Sequence, residues 1–206
     1  IGTLGMEVTR HKTQTGMTTP DTVSLQAMLH QGQKQKALYS CIETSSHGLA
    51  QGRLEGINFQ IGIFTNLTQD HLDYHKSMDA YYRAKRRLFE YMLLASRKNP
   101  ESSKGAIICI DDEYGKKLHT WLKSQNPSFP VISLSLKEKS ADALVTDVEA
   151  TFDGYGCVLV FAQKSYFIKT KLLGRFNLMN LSAGFLALLC LGFGTEDALN
   201  AINQVE

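Results

Sequence analysis

Two polar segments of the sequence contain residue types that could bind a divalent cation. The first runs from Glu43 to Gly48 (ETSSHG) and the second from Thr65 to His75 (TNLTQDHLDYH). Each follows a short apolar run that is typical of a buried strand. Because ligands of open α/β sheets bind beyond the carboxyl ends of the strands, we expect the Glu43 carboxylate and an imidazole of the second segment to share a cation. The alternative is that both segments only cap helices and form turns.

His71 and His75 are four residues apart, a spacing that would place both imidazoles on one face of a helix, as in zinc proteases. The glutamate of the protease motif is missing, because Leu72, Asp73 and Tyr74 lie between the histidines. Zinc binding is therefore the weaker interpretation, and a structural role for His75 is favoured.

Lys85 lies on the apolar face of a predicted helix that begins after Ser77 and ends near Met92. The positions of this face recur at spacings of three and four residues: Met78, Tyr81, Lys85, Leu88 and Met92. Burial lowers the pKa of a lysine, because it disfavours the charged form. Lys85 is therefore either an amine kept neutral for chemistry or a lysine whose stem covers apolar surface while its ammonium reaches water.

The strands and helices that the sequence predicts around these residues indicate an α/β layered fold, in which helices flank a largely parallel sheet. The predicted strands have near-continuous apolar sequences, as expected for strands buried on both faces: 36–42, 60–64, 105–110 and 131–134. A small antiparallel β hairpin region is predicted near 143–171, with strands at 158–161 and 166–168.

Three further helices are predicted from their end signals. Thr19-Pro20-Asp21 is a helix start, with Thr19 as the capping residue and Pro20 at the first helical position. A second helix follows Asp111-Asp112 as far as Trp121, and a third runs from Asn177 to Leu191, with Gly192 as its stop.

Composition and charge exclude several classes of protein. Hydrophobic residues make up 43% of the chain and charged residues 20%, which excludes a disordered or fibrous chain. The 22 basic and 20 acidic residues are well mixed, so nucleic acid is not an expected partner. The longest apolar run, residues 181–193, is too short to span a bilayer, so no membrane insertion is expected.

The cysteines favour a reducing, cytoplasmic location. Cys41, Cys109, Cys157 and Cys190 are far apart, have no CxxC spacing, and are not accompanied by a secretory signal. We therefore expect reduced thiols in the core. The sequence also contains no GxxxxGK[ST] or GxGxxG loop and no GxSxG elbow, so it has no recognisable cradle for nucleotide phosphates.

Four segments of the chain closely resemble the Mur ligases, and within that family the ligases that add the third, diamino acid residue of the peptidoglycan stem peptide. These segments are 43–53 (ETSSHGLAQGR), 65–75 (TNLTQDHLDYH), 81–89 (YYRAKRRLF) and 173–180 (LGRFNLMN). The similarity extends over nearly the whole chain. It implies the central α/β domain of this family.

The resemblance implies an ATP-dependent acid–amino-acid ligase that acts in the cytoplasm during peptidoglycan synthesis, and hence in cell-wall biogenesis, cell shape and cell division. ATP would phosphorylate the D-Glu carboxylate of UDP-N-acetylmuramoyl-L-Ala-D-Glu, and a diamino acid would then attack the acyl phosphate. The alternatives are a non-catalytic Mur-like binding module, or a related ligase that extends folate with glutamate or builds cyanophycin.

The family pattern also implies roles for individual residues. Lys85 occupies the position of a carbamylated catalytic lysine, and Glu43, His71 and the Lys85 carbamate would bind Mg²⁺ near the γ-phosphate of ATP. Asn177 and Asn180 would lie near the adenine. The residues that match UDP-muramoyl dipeptide contacts are Thr18, Thr19, Ser45, Gln51 and Arg53.

The chain departs from the family pattern in two places and is shorter than the family's full enzymes. Met17 replaces the asparagine usual before the two threonines, and Thr44 replaces a usual valine. We expect residues 1–206 to be the central ATPase domain, truncated downstream of the phosphate loop and upstream of the amino-acid-binding domain. The isolated fragment is therefore expected to be inactive.

Overall fold

The structure is a computed structural model that describes residues 1–8, 11–152 and 154–205. The chain divides into two compact units. The first unit comprises residues 1–57 and 69–91, and the second comprises residues 58–68 and 92–206.

The first unit combines a short antiparallel strand pair with helices. Strands β1 (Met6–Val8) and β2 (His11–Thr13) form the pair. The helices are α1 (Thr22–Lys34), α2 (Ser46–Ala50), α3 (Leu72–His75) and the first part of α4 (Met78–Lys98). The predicted helix after Ser77 is confirmed and extends past Met92, and the Ser77 hydroxyl accepts a hydrogen bond from the Ala80 amide at its start.

Helix α1 begins two residues later than the sequence suggested. Asp21, rather than Thr19, is its N-cap, and the Asp21 carboxylate accepts hydrogen bonds from the amides of Val23 and Ser24. These bonds satisfy backbone donors that have no partner within the helix.

The strand predicted over residues 36–42 is wrong, because that segment has no strand assignment. Its first two amides continue the end of α1, since Lys36 donates to the Gln33 carbonyl and Ala37 to the Gly32 carbonyl. Further along, the Ile1 amino group donates to the Cys41 carbonyl, and the Glu43 amide donates to the Ile1 carbonyl.

The second unit contains a six-stranded sheet in the order β3-β4-β5-β6-β7-β8. Its strands are β3 (Ile61–Phe64), β4 (Gly105–Cys109), β5 (Val131–Ser135), β6 (Ala143–Thr151), β7 (Gly154–Phe161) and β8 (Lys164–Thr170). Neighbours from β3 to β6 are parallel, and β6, β7 and β8 are antiparallel. The α/β class and the antiparallel region are confirmed, although that region continues the main sheet and includes β6 as a third strand.

The core of the second unit lies between this sheet and helix α6 (Arg175–Cys190). Every residue of β4 and β5 is buried, as their apolar sequences predict. Helix α5 (Glu113–Ser124) follows β4, and α7 (Thr195–Asn203) follows a left-handed Gly192. None of the helices in the described ranges has the length and apolar character needed to cross a membrane.

All four cysteines are free thiols. Cys109 and Cys157 are buried, and burial raises the pKa of both thiols to about 11, so they remain protonated at neutral pH. Cys190 is partly buried. Cys41 is exposed, so the expectation of a core thiol is wrong for this residue.

Candidate functional site

Glu43 is fixed by hydrogen bonds from Thr3. Its Oε2 atom accepts one bond from the Thr3 amide and one from the Thr3 hydroxyl, each 2.9 Å long. A Cβ at Gly2 would lie 2.7 Å from the same oxygen, so a side chain at this position would displace the Glu43 carboxylate. Its other oxygen, Oε1, accepts no bond from the residues that the structure describes, which leaves it available to a ligand.

Thr19 ties the backbone on both sides of Thr44 together. Its hydroxyl donates to the Glu43 carbonyl at 2.7 Å and accepts from the Ser45 amide at 2.8 Å. The Ser45 hydroxyl caps α2 by accepting from the Gly48 amide at 3.1 Å. Thr19 therefore holds Glu43 and Ser45 in a fixed relation.

Replacing Thr19 with valine is expected to lower the free energy of unfolding by about 1–3 kcal/mol, because a buried carbonyl and amide lose their partner. Thr19 is 1% exposed, so water cannot replace the hydroxyl. Urea unfolding gives the total loss, and hydrogen exchange at the Ser45 amide shows whether it is local. Thr18→Val is the matched control, since the Thr18 hydroxyl meets only that of Thr3 among the described residues. Unchanged protection of Ser45 would contradict the prediction.

Hydrogen bonds fix the Arg53 guanidinium beside Thr19. Its Nη1 atom donates to the Thr19 carbonyl at 2.7 Å, and its Nε atom donates to Gln51 Oε1 at 2.9 Å. Gln51 in turn donates to the Tyr74 hydroxyl at 3.2 Å. Met17 also contacts this guanidinium, with its sulfur 3.2 Å from Arg53 Nη1. All the residues predicted to contact the UDP-muramoyl dipeptide lie in the first unit.

Lys85 is partly buried on α4, as its position on the apolar face predicts. Its Nζ atom lies 5.7 Å from the centroid of the Tyr81 ring, one helical turn earlier. Burial lowers the pKa of the Lys85 amine, and the charges of Glu43 and Asp70 act in the opposite direction without cancelling that effect. The amine donates no hydrogen bond to any described residue. It is therefore a desolvated nitrogen whose charge interacts with two carboxylates.

His71 is held in a strained backbone conformation at the start of α3. Its φ and ψ angles are 54° and 25°, in the left-handed region that residues other than glycine rarely occupy. Its ring packs edge-on against Tyr81 at 5.8 Å and against His47 at 5.0 Å, and its Nε2 atom lies 3.5 Å from Asp70 Oδ2. Such strain is typical of functional sites.

His75 has the structural role that was favoured for it. It is buried, and its Nε2 atom lies 2.9 Å from the Ser46 hydroxyl. Burial, followed by the nearby His47 and His71, lowers the pKa of His75, so its imidazole is neutral at pH 7. Over the residues described, no three His, Cys, Asp or Glu side chains form a group that could hold a metal. The zinc alternative therefore has no support among these residues.

The structure links the three predicted metal-binding residues only indirectly. Glu43 acts electrostatically on Lys85, and the Tyr81 ring contacts both Lys85 and His71. Because Glu43 and His71 are not part of a metal-holding group by themselves, a Mg²⁺ ion here would depend on waters and on further oxygen ligands. Glu43 Oε1 is available, and an uncharged Lys85 amine could gain two further oxygens by carbamylation.

Two residues of this site, Asp70 and Thr3, are not marked by any motif in the sequence. Asp70 interacts with both His71 and Lys85, and its only signal was its place beside His71 in a polar run. Thr3 binds Glu43 across a separation of 40 residues, and nothing in the sequence marks it.

A separate pocket of about 260 Å³ lies in the second unit, at the carboxyl ends of β3, β4 and β5. Its lining is mostly apolar and includes Phe64, Asn66, Cys109, Leu134 and Asn180. Asn180 therefore faces a cavity at the sheet edge where ligands of such sheets bind. Asn177 does not line it, and its side-chain amide donates to the Leu173 carbonyl at 2.8 Å.

Comparison with known proteins shows the class to which this fold and site belong. The family model described as the Mur ligase middle domain matches residues 1–188, and the chain belongs to the Mur ligase family.

Particular relatives can then be named. The chain is 39% identical over 206 residues to the UDP-N-acetylmuramoyl-L-alanyl-D-glutamate–2,6-diaminopimelate ligase of Neisseria meningitidis serogroup B. It is 32% identical to the corresponding L-lysine ligase of Staphylococcus haemolyticus. A solved diaminopimelate ligase structure superimposes with a TM-score of 0.86 at 32% identity. Each match covers 100% of this chain and 40% of the relative.

Proposed function

We propose that these residues are the central domain of an ATP-dependent ligase that joins a diamino acid to UDP-N-acetylmuramoyl-L-Ala-D-Glu in peptidoglycan synthesis. The single observation that carries the proposal is the desolvated Lys85 amine beside Glu43, Asp70 and the His71–Tyr81 pair. Two relatives are named as ligases of this dipeptide, one with diaminopimelate and the other with lysine as the added residue.

The Lys85 amine is the group proposed to carry the chemistry. Its lowered pKa increases the fraction of neutral amine, and a neutral amine can add to carbon dioxide and release one proton to give an N-carboxylate. Glu43, His71 and the carbamate oxygens would hold Mg²⁺, which would neutralise charge on the phosphates of ATP.

The hydrogen-bonded residues around Thr19 are proposed to bind the dipeptide substrate. Arg53 offers a planar guanidinium whose position is fixed by Thr19 and Gln51, so little freedom is lost when it pairs with a carboxylate or phosphate. The hydroxyls of Thr18 and Ser45 lie in the same unit and supply further donors. Together these residues would hold the D-Glu carboxylate for phosphorylation by ATP.

The pocket in the second unit is proposed to receive the adenine of ATP. Its apolar lining suits the faces of a purine, and the Asn180 amide can bond a ring edge. Asn177 would act beside it at the start of α6.

The proposed enzyme acts in the cytoplasm, where its nucleotide substrates occur, and contributes to cell shape and division. Neither membrane insertion nor a nucleic-acid partner is proposed for it.

The domain assignment is likewise a proposal. The chain spans 40% of the length of its named relatives, and its sequence contains no GxxxxGK[ST] phosphate loop. We therefore propose that residues 1–206 alone neither join a diamino acid to the dipeptide substrate nor hydrolyse ATP. The diamino acid would be selected by parts of the protein outside these residues.

The test is a ligation assay on the full-length protein that contains residues 1–206. ATP, Mg²⁺, UDP-N-acetylmuramoyl-L-Ala-D-Glu and either lysine or meso-diaminopimelate are supplied together, and each is omitted in turn. We expect tripeptide product and inorganic phosphate in equal amounts, and only when every substrate is present. Binding of the dipeptide without turnover would instead indicate a non-catalytic module. Turnover with a folate or with cyanophycin precursors would indicate a related ligase.

A further inference from the structure

Three buried polar side chains of the first unit form a continuous contact path that ends at Lys85. Ser46, His75 and Tyr81 are 2%, 7% and 6% exposed, and we call them the platform. They come from α2, α3 and α4 respectively. Burial of polar groups is costly unless they are bonded, so their presence together requires an explanation.

The contacts within the platform fix the plane of each ring. Ser46 lies 2.9 Å from His75 Nε2, which restrains rotation of the imidazole. His75 and Tyr81 are stacked, with centroids 5.0 Å apart and an interplanar angle of 14°. Parallel stacking of this kind couples the orientation of one ring to that of the other.

The Tyr81 ring of this stack also contacts the lysine. Lys85 Nζ lies over the Tyr81 ring at 5.7 Å from its centroid. Tyr81 and Lys85 are four residues apart on α4, so their side chains lie on the same helix face. The ring therefore restricts where the amine can lie and keeps water from one side of it.

We propose that His75 is a positioning residue for Lys85, acting through the stacked Tyr81 ring, with Ser46 fixing the imidazole. The inference rests on the proposed function, because the platform would orient the Lys85 amine for its reaction with carbon dioxide. It also makes a geometric prediction that is independent of this chemistry: loss of the His75 ring should move the Lys85 side chain.

The geometric content is tested first, by NMR of the 206-residue protein without metal or nucleotide. The Cε protons of Lys85 should be shifted by the ring current of Tyr81, and Lys85→Arg identifies their resonance. His75→Leu and Tyr81→Leu should each move this resonance towards that of exposed lysines. His75→Phe should preserve most of the shift, because it retains a flat ring that can stack. An unmoved resonance in folded His75→Leu protein would overturn the proposal.

The chemical content is tested in buffer containing ¹³C-bicarbonate, from the carbamate carbon signal that Lys85→Arg removes. At limiting bicarbonate, His75→Leu should lower the occupancy of the carbamate about tenfold, while His75→Phe lowers it about twofold. Raising the bicarbonate concentration should restore the carbamate signal of His75→Leu. A misfolded variant would not recover this signal. Equal occupancy in His75→Leu and wild-type protein would overturn the proposal.

The matched control is His119→Leu, which removes a partly buried imidazole from the second unit. It should change neither the Lys85 resonance nor its carbamate, and an equal effect of this control would overturn the proposal. If the wild-type protein forms no carbamate at any bicarbonate concentration, the proposed lysine chemistry fails. The Lys85 resonance then decides the positioning role by itself.

Discussion

Replacing Lys85 with arginine is expected to lower the rate of ATP-dependent ligation about 100- to 1,000-fold in the full-length protein. Arginine keeps a long stem and a positive charge, but its guanidinium does not lose a proton at neutral pH and cannot form a carbamate. Burial lowers the pKa of the Lys85 amine, and the proposed carbamate forms from the neutral amine. Initial rates of tripeptide formation at saturating substrate measure the loss.

Two further variants separate the lysine chemistry from damage to helix α4. Arg83→Lys changes an exposed residue on the same helix and should retain the wild-type rate within about twofold. Lys85→Ala should be inactive alone and partly restored by acetate, because a carboxylate in the vacated space supplies the two oxygens of the carbamate. Retention of more than about a tenth of the rate by Lys85→Arg would contradict a carbamate role.

Replacing Phe185 with alanine is expected to reduce the stability of the second unit by about 3–5 kcal/mol. Phe185 is 0% exposed, lies in the core beneath the sheet, and packs on Tyr166 with ring centroids 4.9 Å apart. Its removal leaves a cavity that the surrounding strands cannot close. Urea unfolding followed by Trp121 fluorescence reports on this unit, because Trp121 is the only tryptophan in the chain and lies in α5.

Phe167→Ala provides the matched control, since it removes the same side chain from β8 where it is 58% exposed. We expect this variant to change the free energy of unfolding by less than about 0.5 kcal/mol. Similar losses for the two variants would show that Phe185 does not carry the packing of this core.

The parts of the fold that the sequence predicted are those set by local patterns. Strands β4 and β5 were recognisable because both of their faces are buried, which requires an uninterrupted apolar run. Lys85 was identified because its place in the three-and-four spacing of α4 put a charged residue on an apolar face. Strand β6 was not resolved separately, and a break in its register between Thr146 and Glu149 interrupts the pattern.

The parts that could not be predicted depend on partners distant in sequence. Thr19 looked like a helix cap, but its hydroxyl is bonded to residues 43 and 45, and Asp21 caps α1 instead. Residues 36–42 have the composition of a strand, and no strand is assigned to them. Local propensity identifies the structures that a segment can form, and tertiary contacts determine which of these structures it adopts.

At His71 the left-handed backbone favours a different residue type from the one that the proposed metal binding requires. Glycine or asparagine would adopt these angles with less strain, so selection for thermal robustness alone would favour them over histidine. The histidine at this position therefore carries a backbone cost, and the metal-binding role proposed for its imidazole would account for that cost. Engineering of a heat-tolerant version should therefore exclude position 71 from consensus or glycine-scanning libraries.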